Sequence, residues 1–260
     1  MARSSDQPDG IEAPKPTLGR VARRREQRRD EILARAASLI AKHGVEGLTA
    51  ARLAEAVGLT PGALYRYFPG MNAVVAGVLG DILARIAQRH TRALAALGLA
   101  PAVPRAIAAL YLESMVHAEL AREAPERFGL LAVAIADPRE LVGEERAVAV
   151  RGATFDLLQR SASAFSAARS CGALRDDPPT LPDGDLDHER AFAWTFAGHG
   201  LLTTRKLARR AGQEALVDHL HGRLRRDLLR AWGAEDGPIA AGRRLAQDTW
   251  ASIGPLENTP

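Results

Sequence analysis

The sequence is poor in cysteine: Cys171 is the only one among 260 residues. A single cysteine cannot form an internal disulfide, and it excludes both a disulfide-stapled secreted scaffold and a cysteine-rich zinc site. The sequence also lacks a glycine-rich phosphate loop, zinc-type histidine pairing and a serine nucleophile turn. We therefore expect no metal, no cofactor and no enzymatic activity, in a protein of the reducing cytoplasm.

Long apolar runs are also missing. The longest uncharged apolar run near the middle of the chain covers residues 128–136, far short of the roughly 20 residues that a membrane-spanning helix needs. The first nineteen residues contain three acidic residues and three prolines, so they do not resemble a secretory signal. We expect no membrane association, and we interpret residues 1–22 as a disordered tail with a basic end.

Strand patterns are scarce, because no alternation of β-branched residues extends beyond three or four positions. Apolar residues instead recur at helical spacing, which predicts an all-α fold. We predict a three-helix DNA-binding domain over residues 23–70, a larger helical domain over 71–232, and a C-terminal tail over 233–260 with at most one weak helix. Beyond residue 70, the expected helices cover residues 71–97, 104–122, 125–136, 138–173, 188–210 and 213–232.

Positive charge is concentrated near the N-terminus. Residues 20–68 hold ten Lys or Arg against five Asp or Glu, whereas residues 69–260 hold 23 of each. A local basic excess of this kind is typical of a protein that binds a polyanion with one part of its surface.

Two short helices are predicted within the basic segment, joined by a tight Gly58-Leu59 turn. Thr49 and Thr60 are good N-caps, and Pro61 suits the first helical position. The leucine before each cap forms a hydrophobic staple with a leucine five residues later. This spacing predicts a helix-turn-helix, although an ordinary helical hairpin in an all-α core remains an alternative.

Residues 28–79 resemble the DNA-binding domain of the TetR family of bacterial transcriptional regulators. The resemblance is carried by Gly44, Leu48-Thr49, Leu53-Ala54, Gly58-Leu59 and above all Leu64-Tyr65-x-Tyr67-Phe68-Pro69. It implies that helix starts and tyrosines contact the DNA backbone and that the recognition helix lies near base edges. The implied DNA-binding residues are Arg28, Thr49, Thr60, Pro61, Gly62, Ala63, Tyr65, Arg66 and Tyr67.

The sequence departs from the family pattern directly after the recognition helix. Family members commonly have a Ser-Lys pair there, and this chain has Gly70 and Met71. Because methionine cannot neutralise a phosphate, we expect a weaker grip on the DNA backbone, offset by the arginines of residues 20–29. Since Gly62 and Ala63 offer no side-chain hydrogen bond, we expect base readout to rest on Arg66 at guanine, on methyl contacts from Ala63 with thymine, and on DNA shape.

The resemblance implies that the larger domain binds a ligand and forms a homodimer through its last two long helices. A leucine stripe supports a helix-pairing surface, with a monomeric core of buried helices as the alternative. The predicted dimer residues are Leu201, Leu216, Leu220, Leu224 and Leu228. Gly198 and Gly200 are expected to let a partner helix approach closely.

A ligand pocket is suggested by polar and aromatic side chains on otherwise apolar helices. The alternative is that these residues belong to a filled core. The candidates are Tyr111, Ser114, His117, Phe155, Trp194 and His199.

Together these features predict a homodimeric transcriptional regulator that binds a pseudo-palindromic double-stranded operator. We expect a repressor that an unknown small-molecule effector releases from DNA. The alternatives are an effector-independent dimeric DNA-binding protein and an all-α enzyme with a helical hairpin at its N-terminus.

Overall fold

The computed structural model describes residues 19–254, which form twelve α-helices and no strand. The all-α fold expected from the sequence is confirmed. In chain order the helices are α1 (Arg20–His43), α2 (Ala50–Ala56), α3 (Pro61–Tyr65), α4 (Met71–Ala96), α5 (Ala102–Glu123), α6 (Pro125–Ala136), α7 (Arg139–Val142), α8 (Glu144–Ser170), α9 (Leu186–Thr203), α10 (Arg205–Arg210), α11 (Glu214–Ala231) and α12 (Asp236–Ser252).

Helix α1 begins at Arg20 rather than near residue 23, so the last residues of the expected tail are helical. Residues 1–18 of that tail lie outside the described part of the chain. The early start extends the arginine-rich segment as one continuous helix.

Helices α2 and α3 form by the local signals that the sequence contains. The Thr49 hydroxyl accepts a hydrogen bond from the Arg52 amide at 3.3 Å, and the Thr60 hydroxyl accepts one from the Ala63 amide at 3.2 Å. Each threonine thus satisfies an amide that has no partner within its helix. Gly58 adopts φ +65° in the turn between them, a conformation that favours glycine.

One continuous hydrophobic cluster joins these helices to the larger domain. It contains Ile32 and Ile40 of α1, Leu64 of α3 and Leu79 of α4, together with residues of α5, α6, α7 and α8. At Gly77 on α4 an added Cβ would lie 2.6 Å from the Leu33 side chain, so the glycine permits close packing against α1. The boundary near residue 70 therefore divides chain segments but not the core.

Helix α4 is the one described helix long and apolar enough, by composition alone, to cross a membrane. Ten of its side chains are buried against the rest of the chain, including Val74, Leu79 and Ile86.

Residues 233–254 are not the expected tail. Helix α12 covers 17 of them and packs along α5, with Ile239, Ala246 and Thr249 buried. Gly242 makes the contact close, because a Cβ there would lie 2.6 Å from the Ile107 side chain. The sequence analysis allowed a weak helix here but missed its place in the core, because this packing depends on a partner more than a hundred residues away.

Two expected long helices are divided. The predicted helix over 138–173 is broken at Gly143, which has φ +77°, so that α7 and α8 are separate. The predicted helix over 188–210 is interrupted at Thr204, between α9 and α10. A proline-rich loop connects α8 to α9. The carboxylate of Glu189 on α9 fixes this loop by accepting hydrogen bonds from the Thr180 and Leu181 amides.

We expect Gly242→Ala to lower the free energy of unfolding by about 1–3 kcal/mol, because the methyl group would meet Ile107 and the Pro104 carbonyl oxygen at 2.9 Å. The matched control is Gly237→Ala at the start of the same helix, where a Cβ meets nothing within 4 Å. That control should be neutral or stabilising by up to roughly 1 kcal/mol. Thermal denaturation followed by circular dichroism measures both, and equal melting temperatures for the two variants would contradict the close packing.

Candidate functional site

Helix α3 presents a small exposed surface formed by Thr60, Pro61, Gly62, Tyr65 and Arg66. Ala63 is half-buried, and its neighbour Leu64 is buried in the cluster shared with α4. This alternation fixes one side of the helix to the protein and leaves the other side free. We call the exposed residues, with Ala63, the recognition surface.

Two polar side chains of the recognition surface have no partner among the described residues. Tyr65 is 47% exposed, and neither its hydroxyl nor the Arg66 guanidinium makes a hydrogen bond or ion pair there. Arg66 lines an open hollow of about 440 Å³ with Arg24, Arg25 and Tyr67. Tyr67 is half-buried and packs against the hydrophobic cluster.

Arginines of α1 hold the ends of α2 and α3. Arg28 donates to the Val57 carbonyl oxygen at 2.6 Å, Arg29 donates to the Tyr67 carbonyl oxygen, and Arg25 donates to the Arg66 carbonyl oxygen at 3.3 Å. Cations at helix C-termini satisfy carbonyl groups and interact favourably with the helix dipole. We call these three residues the arginine clamp.

The arginine clamp gives the basic segment a role that the sequence analysis missed. Arg28, predicted to bind DNA, also forms an ion pair with Glu31 at 2.6 Å, and Arg29 lies 4.4 Å from the centre of the Phe68 ring. Their guanidinium groups thus position the recognition surface. The sequence places these arginines far from α3, so only the folded chain reveals the contacts.

Met71, which replaces the lysine typical of the family, is half-buried and packs against the shared cluster. The preceding Gly70 is the N-cap of α4 and has φ +155°. Neither residue supplies a positive charge beside the recognition surface.

The larger domain encloses a small cavity of about 40 Å³ between α4, α5, α6, α8 and α9. Such a volume holds one or two water molecules. Its polar lining includes Glu113, His117 and His90, and its apolar lining includes Leu83 and Ile86 of α4.

Glu113 is the polar residue of this cavity that the sequence analysis did not select. Its carboxyl group accepts hydrogen bonds from the Ser161 hydroxyl and, at 3.1 Å, from the Thr195 hydroxyl. Burial raises the pKa of this carboxyl group, against the opposing effect of those hydrogen bonds and of Arg225. The available signal was a lone acidic residue four positions before His117 on an apolar helix.

Two of the predicted ligand residues meet beside the cavity. His199 stacks on Phe128 with ring centres 4.4 Å apart, and its ring lies 5.8 Å from that of His117. Burial lowers the pKa of His199 to about 3 and that of His117 to about 4, so both rings are neutral near pH 7. Of the two, His117 lines the cavity.

The other four candidates lie elsewhere. Tyr111 and Ser114 line a separate groove between α5, α11 and α12. Trp194 is fully buried in the second hydrophobic cluster, and Phe155 is largely exposed in a surface hollow beside Phe192. The six candidates therefore do not form one pocket.

Four of the predicted dimer leucines follow one side of α11, and the fifth, Leu201, lies on α9. Leu216 and Leu220 are 49% and 38% exposed, and Leu201, Leu224 and Leu228 are half-buried. Gly200 is exposed, but Gly198 is not available to a partner helix, because the Arg225 side chain of the same chain occupies the space beside it. The expectation for Gly198 is therefore wrong.

Comparison with protein families matches residues 32–78 to the model described as bacterial regulatory proteins of the tetR family. This range covers the second half of α1, both short helices and the start of α4. Comparison with curated proteins gives no match.

Among solved structures, the fold is similar to a TetR-family transcriptional regulator from Agrobacterium tumefaciens, with 19% identity, a TM-score of 0.58, and 81% of this chain and 100% of that chain covered. A TetR transcriptional regulator from Chloroflexus aurantiacus J-10-FL has 19% identity and a TM-score of 0.57, with coverage of 78% and 94%. The fatty acid degradation regulator FadR from Bacillus halodurans has 18% identity and a TM-score of 0.54, with coverage of 76% and 94%. At these identities the similarity establishes the fold.

We expect the protein to lose stability as the pH falls from about 7 to about 4. In the unfolded chain His199 binds a proton near its ordinary pKa of 6.5, whereas in the folded chain it does so only near 3. The contribution of His199 is therefore complete above pH 6.5 and is lost as the pH falls towards 3. His199→Phe retains an aromatic ring beside Phe128 and removes this titration, so its melting temperature should fall less between pH 7.5 and pH 5.

The control is His43→Gln, which removes an exposed histidine and should leave the pH dependence unchanged. A wild-type pH dependence in His199→Phe would show that this ring does not cause the acid sensitivity.

Proposed function

Because residues 32–78 match the model of bacterial regulatory proteins of the tetR family, we propose that this chain is a cytoplasmic, homodimeric transcriptional regulator that binds a specific operator. The observation that carries the proposal is the recognition surface itself. It exposes an arginine and a tyrosine without partners among the described residues, on a helix whose opposite side is fixed in the core.

The proposed contacts divide between the DNA backbone and base edges. The amides at the start of α2 and α3, beside Thr49 and Thr60, suit phosphate oxygens, as does the Tyr65 hydroxyl. Pro61, Gly62 and Ala63 allow the helix to approach the bases closely, and Arg66 is long enough to reach a guanine edge. Tyr67 and Arg28 support this surface from behind through core packing and the arginine clamp.

The proposed dimer uses the leucine side of α11 together with α9. Leu216 and Leu220 are exposed on a helix that packs against α9, where Phe192 is 57% exposed. Leu201, Leu224 and Leu228 extend the same surface. A two-fold dimer presents two recognition surfaces to two half-sites, which fits a pseudo-palindromic operator.

The proposed response to a small molecule starts at the cavity beside Glu113. Leu83 and Ile86 of α4 line this cavity and belong to the cluster that contains the DNA-binding helices. An effector that enlarges the cavity would therefore displace α4, which packs against α1 and α3 of the DNA-binding domain. We propose a mostly apolar effector with a polar group that meets Glu113 and His117, and release of a repressor from DNA as the outcome.

A second candidate function is favoured by the size of the cavity. A cavity of about 40 Å³ leaves the core of the larger domain nearly filled. A filled core is what an effector-independent DNA-binding dimer would have. Footprinting on the DNA upstream of the chain's own gene, with and without candidate small molecules, separates the two functions. Protection that no compound relieves would support the effector-independent protein, and no protection at all would argue against DNA regulation at that site.

We expect the protein to protect two half-sites whose centres are about 34–36 Å apart, and we expect Arg66→Ala to reduce discrimination between specific and random DNA by roughly ten- to a hundredfold. The physical reason is that a bidentate arginine–guanine contact distinguishes the correct base. Fluorescence anisotropy with both DNAs at fixed salt measures the ratio. The control is Arg92→Ala, an exposed arginine on the distal half of α4 that should leave the ratio unchanged.

If both Arg66→Ala and Arg92→Ala retain the wild-type discrimination ratio, Arg66 does not read a base directly. DNA shape must then carry the specificity.

We expect Leu220→Glu to convert the dimer to a monomer, because it places a charge in the centre of the proposed apolar interface. Sedimentation measures the mass, and operator affinity should fall at least tenfold since only one half-site can then be held. The control Leu207→Glu alters a more exposed leucine on α10 and should leave the dimer intact. A dimeric Leu220→Glu would place the interface elsewhere.

A further inference from the structure

A second concave site lies away from the small cavity, in the groove between α5, α11 and α12. Its volume is about 470 Å³, which is within the range of small-molecule sites. Tyr111 and Ser114 of α5 form one wall, and α11 and α12 form the others. None of these helices belongs to the DNA-binding domain.

The groove is strongly cationic. Its charged lining consists of five arginines and one acidic residue, namely Arg122, Arg223, Arg225, Arg226, Arg243 and Asp218. Asp218 is already held by Arg205 in a bidentate contact, so it does not neutralise the groove. Arg122 and Arg243 make no ion pair among the described residues.

Buried donors without partners face the same groove. Tyr111 is only 7% exposed, and among the described residues its hydroxyl has no hydrogen-bond partner. The buried Nε atoms of Arg225 and Arg226 also lack hydrogen-bond partners there, and the nearest carboxylate oxygen to the Arg226 Nε is that of Asp227 at 4.0 Å. Unsatisfied buried donors are costly, so their convergence on one concave surface indicates a missing acceptor.

Arg225 is unusual because it is 3% exposed and has no carboxylate partner among the described residues. Its guanidinium lies 4.2 Å from the centre of the Trp194 ring and donates to the Trp194 carbonyl oxygen. It also lies 3.4 Å from Nε2 of His221, which must accept this hydrogen bond because arginine only donates. The base of the groove therefore holds a buried guanidinium beside a neutral His221, and the nearest acidic group that acts on Arg225 is the carboxyl of Glu113, which is not within ion-pair distance.

We propose that this groove binds a phosphate-bearing small molecule, whose phosphate group accepts hydrogen bonds from the Tyr111 hydroxyl and from Arg225, Arg226 and Arg243. Several guanidinium groups and a hydroxyl supply more donors than one carboxylate can accept, whereas the terminal oxygens of a phosphate match them. The planar donors of arginine also fit phosphate oxygens in pairs.

The leucine side of α11 does not overlap with this groove. Leu216, Leu220 and Leu224 recur at helical spacing on one side, whereas the groove takes Gly222, Arg225 and Arg226 from another, and His219 and Arg223 lie at the border between the two. The proposed anion site thus shares no residue with the recognition surface or with the predicted dimer leucines.

Isothermal titration calorimetry of the full chain with inorganic pyrophosphate tests the site directly. We expect saturable binding with one site per chain, weakened about tenfold by Arg243→Gln and about tenfold by Tyr111→Phe, since each removes one hydrogen bond to a charged acceptor. The matched control is Arg244→Gln, which removes the adjacent exposed arginine of α12 and does not line the groove. Circular dichroism melts establish that each variant is folded.

Three binding results would overturn the proposal. Equal weakening by Arg243→Gln and Arg244→Gln would indicate general attraction to a basic protein, and binding that only Arg66→Ala removes would place the anion on the DNA-binding surface. Malonate binding as tightly as pyrophosphate would indicate a carboxylate site. A change in oligomeric state in Arg243→Gln, with unchanged pyrophosphate affinity, would assign the groove to a protein contact and would also overturn it.

Discussion

The burial of one apolar face of α4 against two sets of helices is the constraint on which the rest of this structure depends. Val74 and Leu79 are buried in a cluster with α1 and α3, and Leu83 and Ile86 continue that cluster to the cavity beside Glu113. Protein interiors are close-packed, so displacement at one end of such a helix is not absorbed by empty space. Helix α4 therefore connects the short helix α3 to the larger domain through continuous side-chain packing.

Buried polar groups mark the places where this packing is interrupted. Arg89 and Glu119 form a buried ion pair at 3.0 Å, with Trp250 of α12 stacked 4.3 Å from the guanidinium. Glu113 is held by two hydroxyls, whereas both ring nitrogens of His199 lack partners among the described residues. Fully satisfied polar groups give a core a unique arrangement, and partly satisfied ones leave room for a second arrangement. The larger domain contains both kinds.

The helix-turn-helix could be predicted from the sequence because its signals are local. Thr49, Gly58 and Thr60 act within a few residues of their positions, and the structure shows the expected caps and turn. The packing of α12 and the arginine clamp could not be predicted in the same way, because Gly242 and Arg28 contact residues distant in sequence. Three of the predicted ligand residues share α5, but a helix has several sides. His117 and Glu113 face the cavity, whereas Tyr111 and Ser114 face the groove.

Helix α3 has five residues, and isolated helices of that length do not persist in water. Its carboxyl end is held by arginines 38 and 41 residues earlier in the chain. The recognition surface is therefore not a property of the α2–α3 segment alone. It exists only where α1 lies against the end of α3 and the cluster with α4 is closed, so its shape is a cooperative product of the surrounding fold.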